Sequence, residues 1–77
     1  EKMNLTETIS KILDMDFDTY IVGIKSKNLD QEEKKKILKE LRKKIWFKNK
    51  RVDFNNPEIV ILYDYDKNEF EIKTNPV

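Results

Sequence analysis

IVILYDYDKNEFEIKT, Ile59 to Thr74, is the stretch on which the fold turns. Its first half, Ile59 to Tyr65, is rich in β-branched and aromatic residues and reads as a strand with apolar side chains on both faces. Asp66, Lys67 and Asn68 turn the chain. Glu69 to Thr74 then alternates strictly, with Phe70 and Ile72 facing in and Glu69, Glu71 and Lys73 facing out. The stretch is therefore a hairpin whose second strand is half exposed.

Upstream, FDTYIVGIK (Phe17 to Lys25) reads as another strand. Tyr20, Val22 and Ile24 point one way, and Phe17 and Ile21 the other. Apolar residues on both faces predict a strand covered on both sides. The two strands are joined by LDQEEKKKILKELRKKIWFK, the clearest helix in the chain. Asp30 caps it, Glu33 stands at capping-box spacing, and acids in the first turn and bases in the last suit the helix dipole. Ile37, Leu38, Leu41 and Ile45 form its core-facing stripe. At about 100° per residue, Lys35, Lys36, Lys39, Arg42, Lys43 and Trp46 fall on the opposite side. Trp46 has a second reading, in which the helix has ended and the ring packs with Phe47 into the core; that reading is the expectation here.

KNKRVDFNNPE, residues 48–58, reads as a loop, with turn chemistry at Asn55, Asn56 and Pro57. Near the start, residues 5–14 form a short helix capped by Asn4, with Leu5, Ile9, Ile12 and Leu13 on one face. The order is α-β-α-β-β. A strand-helix-strand connection makes its two strands parallel, and the hairpin adds an antiparallel third. The predicted class is α/β, a small mixed three-stranded sheet with helices packed on it. The sequence begins at Glu1 and stops at TNPV just after a strand, so it reads as a piece of a longer protein.

Composition narrows the chemistry. The chain has 77 residues, no Cys and no His, which removes disulfides, thiolate metal sites and the histidine-dependent catalytic constellations. One Gly, Gly23, rules out a glycine-rich phosphate loop. No apolar run approaches the roughly 20 residues that span a bilayer, so a cytoplasmic location is expected. Asp14, Asp16 and Asp18 alternate like the start of a calcium loop, but Thr19 and Lys25 stand where that loop needs Gly and Glu. The Asp64, Asp66, Asn68 series fails in the same way. Nothing marks a pair of carboxylates for acid–base catalysis. No metal, cofactor or catalytic residue is assigned.

The net charge is +1, but its distribution is uneven. Residues 34–51 hold eight Lys and two Arg against one Glu, whereas residues 1–33 hold four Lys against eight acids and residues 52–77 two Lys against six. A basic segment framed by acidic ones is drawn to polyanions. A merely solvated lysine-rich helix would show the same pattern. An aromatic side chain within such a segment can stack on an unpaired base.

RVDFNNPEIVILYDYDKNEFEI, Arg51 to Ile72, resembles the signature stretch of the THUMP domain: an aliphatic-Asp-aromatic opening, an Asn-Pro-acid turn, then a strand of alternating aliphatics and a hairpin return. Val52, Asp53, Phe54, Asn56, Pro57, Glu58, Ile59, Ile61 and Ile72 carry the likeness. FDTYIVGIK and the closing TNPV are similar to the THUMP-containing archaeal and eukaryotic pseudouridine synthases that modify the tRNA T-loop. The resemblance implies an accessory RNA-binding module of a tRNA-modifying enzyme, recognising the acceptor region of tRNA, with the chemistry in a separate catalytic domain of the same parent chain. It divides the chain into an N-terminal helix and linker, 1–16, and a THUMP-like domain, 17–77, shorter than the full domain of that family. Lys35, Lys36, Lys39, Lys43, Lys48, Lys50 and Arg51 are then the RNA-binding residues, and Asp53, Asn56 and Pro57 shape the turn presenting the basic loop. The rival expectation is a protein-interaction module, docking its basic helix on an acidic partner or a neighbouring domain, or extending a sheet through its last strand.

Overall fold

The computed structural model describes residues 3–74. Helix α1 spans Leu5–Leu13, strand β1 Thr19–Lys25, helix α2 Gln31–Lys44, β2 Arg51–Val52, β3 Ile59–Asp64 and β4 Glu69–Thr74. The strands form one mixed sheet in the order β2-β1-β3-β4. β1 runs parallel to both β2 and β3, and β3 and β4 form the antiparallel hairpin. The α/β class and the parallel pairing across the long helix agree with the sequence reading.

The helices start where the caps place them. Asn4 Oδ1 accepts the Glu7 backbone N–H at 2.8 Å, and Asp30 Oδ1 that of Glu33 at 2.9 Å. The register then stacks Tyr20, Val22 and Ile24 of β1 beside Ile59, Ile61 and Tyr63 of β3. In turn Ile61 lies opposite Ile72, and Tyr63 opposite Phe70. This face meets Ile12 of α1, Leu41 of α2 and Ile45 just beyond it, and with Phe17 and Phe47 these residues make the core. Both helices therefore cover the same side of the sheet.

Phe17, expected on the face of Ile21, lies before β1 begins and is instead buried in the core beside Tyr20. Four further expectations need correction. First, the sheet has four strands rather than three. The segment expected to be all loop contributes β2, whose Arg51 N–H donates to Asp18 O at 2.9 Å, while the following Asp53 N–H donates to Tyr20 O at 3.0 Å. Two residues are too few for any periodicity to show. Second, the central strands are covered on one side only. Ile21, Val60 and Leu62 share the other face and stay half-buried, outside the core cluster. Apolar residues on both faces predicted a second layer, which the described residues do not supply.

Third, Leu13 does not join the core face of α1 and is 67% exposed. Thr8 takes a core position instead, at 0% exposure. It sits three residues after Leu5 and four before Ile12, and its hydroxyl donates to Asn4 O at 2.8 Å, which offsets the cost of burying it. Fourth, Trp46 does not pack with Phe47. Phe47 is 5% exposed and Trp46 69%. Ile45 leaves the helix at φ −102° and ψ 84°. From there the buried residues alternate as in an extended chain: Ile45 in, Trp46 out, Phe47 in.

The one-sided core predicts an asymmetric response to mutation. Ile61, at 0% exposure, lies between sheet and helices, and Ile61→Ala is expected to lower unfolding stability by about 2–5 kcal/mol. Val60→Thr, its neighbour on the uncovered face, is expected to change it by no more than about 0.5 kcal/mol. Urea denaturation of both variants checks this; equal losses would mean a second layer covers the sheet.

Candidate nucleic-acid interface

α2 lays its apolar stripe on β1, which leaves its charged side to solvent. Lys35, Lys36, Lys39 and Lys43 are all exposed. Lys35, Lys39 and Lys43 follow one another at four-residue spacing and so line one row of the helix. Lys48 is exposed in the turn after α2, and Arg51 is exposed on edge strand β2, next to β1. Six of the seven predicted cations thus stand on the outside, along α2 and on the edge strand that follows it.

Lys50 is placed differently. It is half-buried, its ammonium donates to the Phe17 carbonyl, and its Nζ lies 4.7 Å from the centre of the Phe17 ring. A cation over an aromatic face, bonded to a backbone carbonyl, is already engaged within the fold. Lys50 closes one side of an aromatic cluster in which Phe17, Tyr20 and Phe47 meet edge to face, with ring centres 5.4–6.0 Å apart.

In the turn at residues 53–56 the acceptor is the Asp53 carboxylate rather than an Asn side chain. Asp53 Oδ1 accepts the backbone N–H of Asn55 at 2.9 Å and of Asn56 at 3.1 Å. The N–H groups of Asn56 and then Asn55 stabilise the charged carboxylate and hold its pKa below the ordinary 3.8, with a smaller contribution from Arg51. The turn carries the chain back across the start of β1, where Glu58 N–H donates to Thr19 Oγ1 at 3.1 Å. At its tip Phe54 is 66% exposed, with the Arg42 guanidinium 5.3 Å from its ring centre. The sequence reading assigned Phe54 only to the motif and set Trp46 in the core. The period-two alternation beyond Ile45 was the signal that Trp46 faces outward.

A cleft of about 400 Å³ lies at the carboxyl ends of β1 and β3, lined by Lys25, Lys27, Asn28, Asp64, Asp66 and Lys67. Its carboxylates are occupied. Asp66 accepts the Lys27 N–H at 2.7 Å, the Ser26 hydroxyl at 2.8 Å and the Asn28 amide at 3.1 Å. Those bonds, the Lys27 N–H first, lower its pKa. Asp64 Oδ1 accepts the Lys67 N–H at 3.2 Å. With its pKa lowered, Asp66 is a poor proton carrier at neutral pH. Among the described residues, no group of three or more Asp or Glu is placed to hold a metal ion, and no helix is long and apolar enough to cross a membrane.

No family model, curated protein or solved structure matches the chain.

The Asp53 clamp has a definite pH signature. Its pKa is lower folded than unfolded, so its contribution to stability is complete above the unfolded value and disappears as pH falls through the folded one. In an NMR titration the Asp53 carboxyl is expected to titrate below 3.8, with the amides of Asn55 and Asn56 following the same midpoint. Asp53→Ala should remove that response. A midpoint at or above the ordinary value would show that the turn is not held by this carboxylate.

Proposed function

We propose that this chain is an RNA-binding domain that grips the phosphate backbone with the outer side of α2 and the edge strand beyond it. The observation that carries the reading is the exposed row of Lys35, Lys39 and Lys43, continued by Lys36, Lys48 and Arg51. Ammonium and guanidinium groups neutralise phosphates and release condensed counterions, a source of affinity that ignores base sequence. The core stripe of α2 fixes the helix on the sheet, so these charges share one orientation rather than sampling many. Lys50 belongs to the fold and takes no part in the contact.

The resemblance to THUMP domains supports a finer reading. The RNA is then tRNA, bound at its acceptor region, in the cytoplasm. The parent enzyme modifies tRNA, as a pseudouridine synthase, in a catalytic domain outside these residues. The clamped Asp53 turn, with Asn56 and Pro57, presents Arg51 and Phe54 at the edge of that surface.

A second reading has its own observation. The uncovered sheet face, with Ile21, Val60 and Leu62, is a surface on which a neighbouring protein domain can pack. Strand addition at β4 is less favoured, because Phe70 N–H already donates to Met3 O at 3.1 Å.

If about four phosphates are contacted, log affinity for RNA should fall with log salt at a slope near −3. Lys39→Glu with Lys43→Glu should weaken binding to all RNA sequences alike and flatten that slope by about 1–2. Lys50→Met should lower thermal stability and leave the slope as it was. Filter binding or fluorescence anisotropy over a salt series measures the affinities and slopes, and a thermal melt the stability of Lys50→Met. An unchanged affinity in the double variant would sink the reading.

A further inference from the structure

From the surface around the carboxyl end of α2, we infer that Trp46 and Phe54 form a stacking site for unpaired nucleobases. The inference rests on the RNA-binding reading above and adds a preference for single-stranded over duplex RNA.

Among the described residues five large apolar side chains are exposed, and three of them, Trp46, Val52 and Phe54, fall between residues 46 and 54. Scattered apolar residues on a surface are ordinary; these three are tied to one place. The Tyr20 hydroxyl reaches Ile45 O, directly before Trp46. Tyr20 also pairs with Val52 across the sheet, and its carbonyl accepts the Asp53 N–H, directly before Phe54. The two rings therefore stand on segments anchored to the same buried residue.

Both rings are held for contact. The chain alternation that buries Ile45 and Phe47 drives Trp46 outward. Phe54 projects from the tip of the Asp53-clamped turn, with the Arg42 guanidinium by its ring. At 66% exposure the ring still has open surface. A base laid on it stacks on an aromatic already paired with a cation, an arrangement common in single-strand recognition.

Charge decides the kind of occupant. The rings sit among Arg42, Lys43, Lys44, Lys48 and Arg51, all exposed. A flat apolar group carried on an anionic chain fits both features at once. A paired base keeps its faces inside the helical stack and offers neither ring a partner. Backbone contact by the lysines serves single and double strands alike, so discrimination has to come from the rings.

Trp46 is the only tryptophan in the chain, so its emission reports the site directly. The test titrates the 77-residue chain with a short oligouridylate and with a blunt RNA duplex at matched salt. Oligouridylate is expected to quench the emission, and the duplex to leave it nearly unchanged. Trp46→Leu should weaken oligouridylate binding about fivefold to a hundredfold, followed by anisotropy of labelled RNA, with duplex affinity and the melting temperature retained. Phe54→Leu should act in the same direction.

Unchanged emission at saturating oligouridylate, or equal effects of Trp46→Leu on single strand and duplex, would overturn the stacking site. If the Lys39 and Lys43 reversal still weakened both RNAs, the backbone reading would survive that result. Failure of both RNAs to bind would overturn both readings.

Discussion

The placement of the basic helix depends on how Tyr20 is buried. Its ring meets Phe17 and Phe47 edge to face, and its Cα is paired with Val52 on one side and Ile59 on the other. It is thus the point at which β1, β2, β3 and the end of α2 converge. The hydroxyl bond to Ile45 O is long, at 3.4 Å, so packing does more than that bond to hold the junction. Edge-to-face aromatic pairs contribute roughly 0.5–1.5 kcal/mol beyond the area they bury. Three such pairs among Phe17, Tyr20 and Phe47 give this end of a small domain a firmness its length alone would not supply. Lys50 then seals the cluster from outside, and the surface cations around it inherit a fixed frame.

What was legible in the sequence was whatever repeated with a period or obeyed a local capping rule. The Asp30 and Glu33 spacing located the start of α2, and the alternation from Glu69 to Thr74 located β4 and its inward residues. β2 escaped because two residues carry no period; its existence follows from hydrogen bonds to Asp18 and Tyr20, which are distant in sequence. Trp46 was misjudged where one period gives way to another. The helical repeat and the extended repeat beyond Ile45 both turn it outward, but its apolar character argued the other way. Lys50 was read with the surface lysines because its partner, the Phe17 carbonyl and ring, is 33 residues away.

The uncovered sheet face exposes the limit of reading burial from hydrophobicity alone. Ile21, Val60 and Leu62 are half-buried by their cross-strand neighbours alone, and a pleated, half-buried surface is what strand-forming side chains fit, with or without a second layer. Hydrophobic alternation predicts which residues share a face; it does not count the layers. Both helices go to one side because the larger residues do: Tyr20, Ile59, Ile61, Tyr63 and Phe70 present the wider apolar surface, and Ile12, Leu41 and Ile45 complete it.

The same one-sidedness organises charge. α2 packs on β1, near the β2 edge, while β4 at the opposite edge carries exposed Glu71 and half-buried Glu69. Charge is therefore uneven across the sheet, positive on the side of α2 and β2 and only weakly negative along β4, where exposed Lys73 offsets one of the two Glu. A net charge of +1 conceals this, because long-range attraction to a polyanion depends on the gradient as well as the sum. In the field of a polyanion, a domain so charged is turned with β4 outward and α2 inward. The side so presented carries the exposed Lys39, Lys43, Lys48 and Arg51, and with them the exposed Trp46 and Phe54. Acidic residues on the far edge thus serve the basic face by disfavouring the wrong approach, an orienting effect that an evenly basic domain of higher net charge would lack.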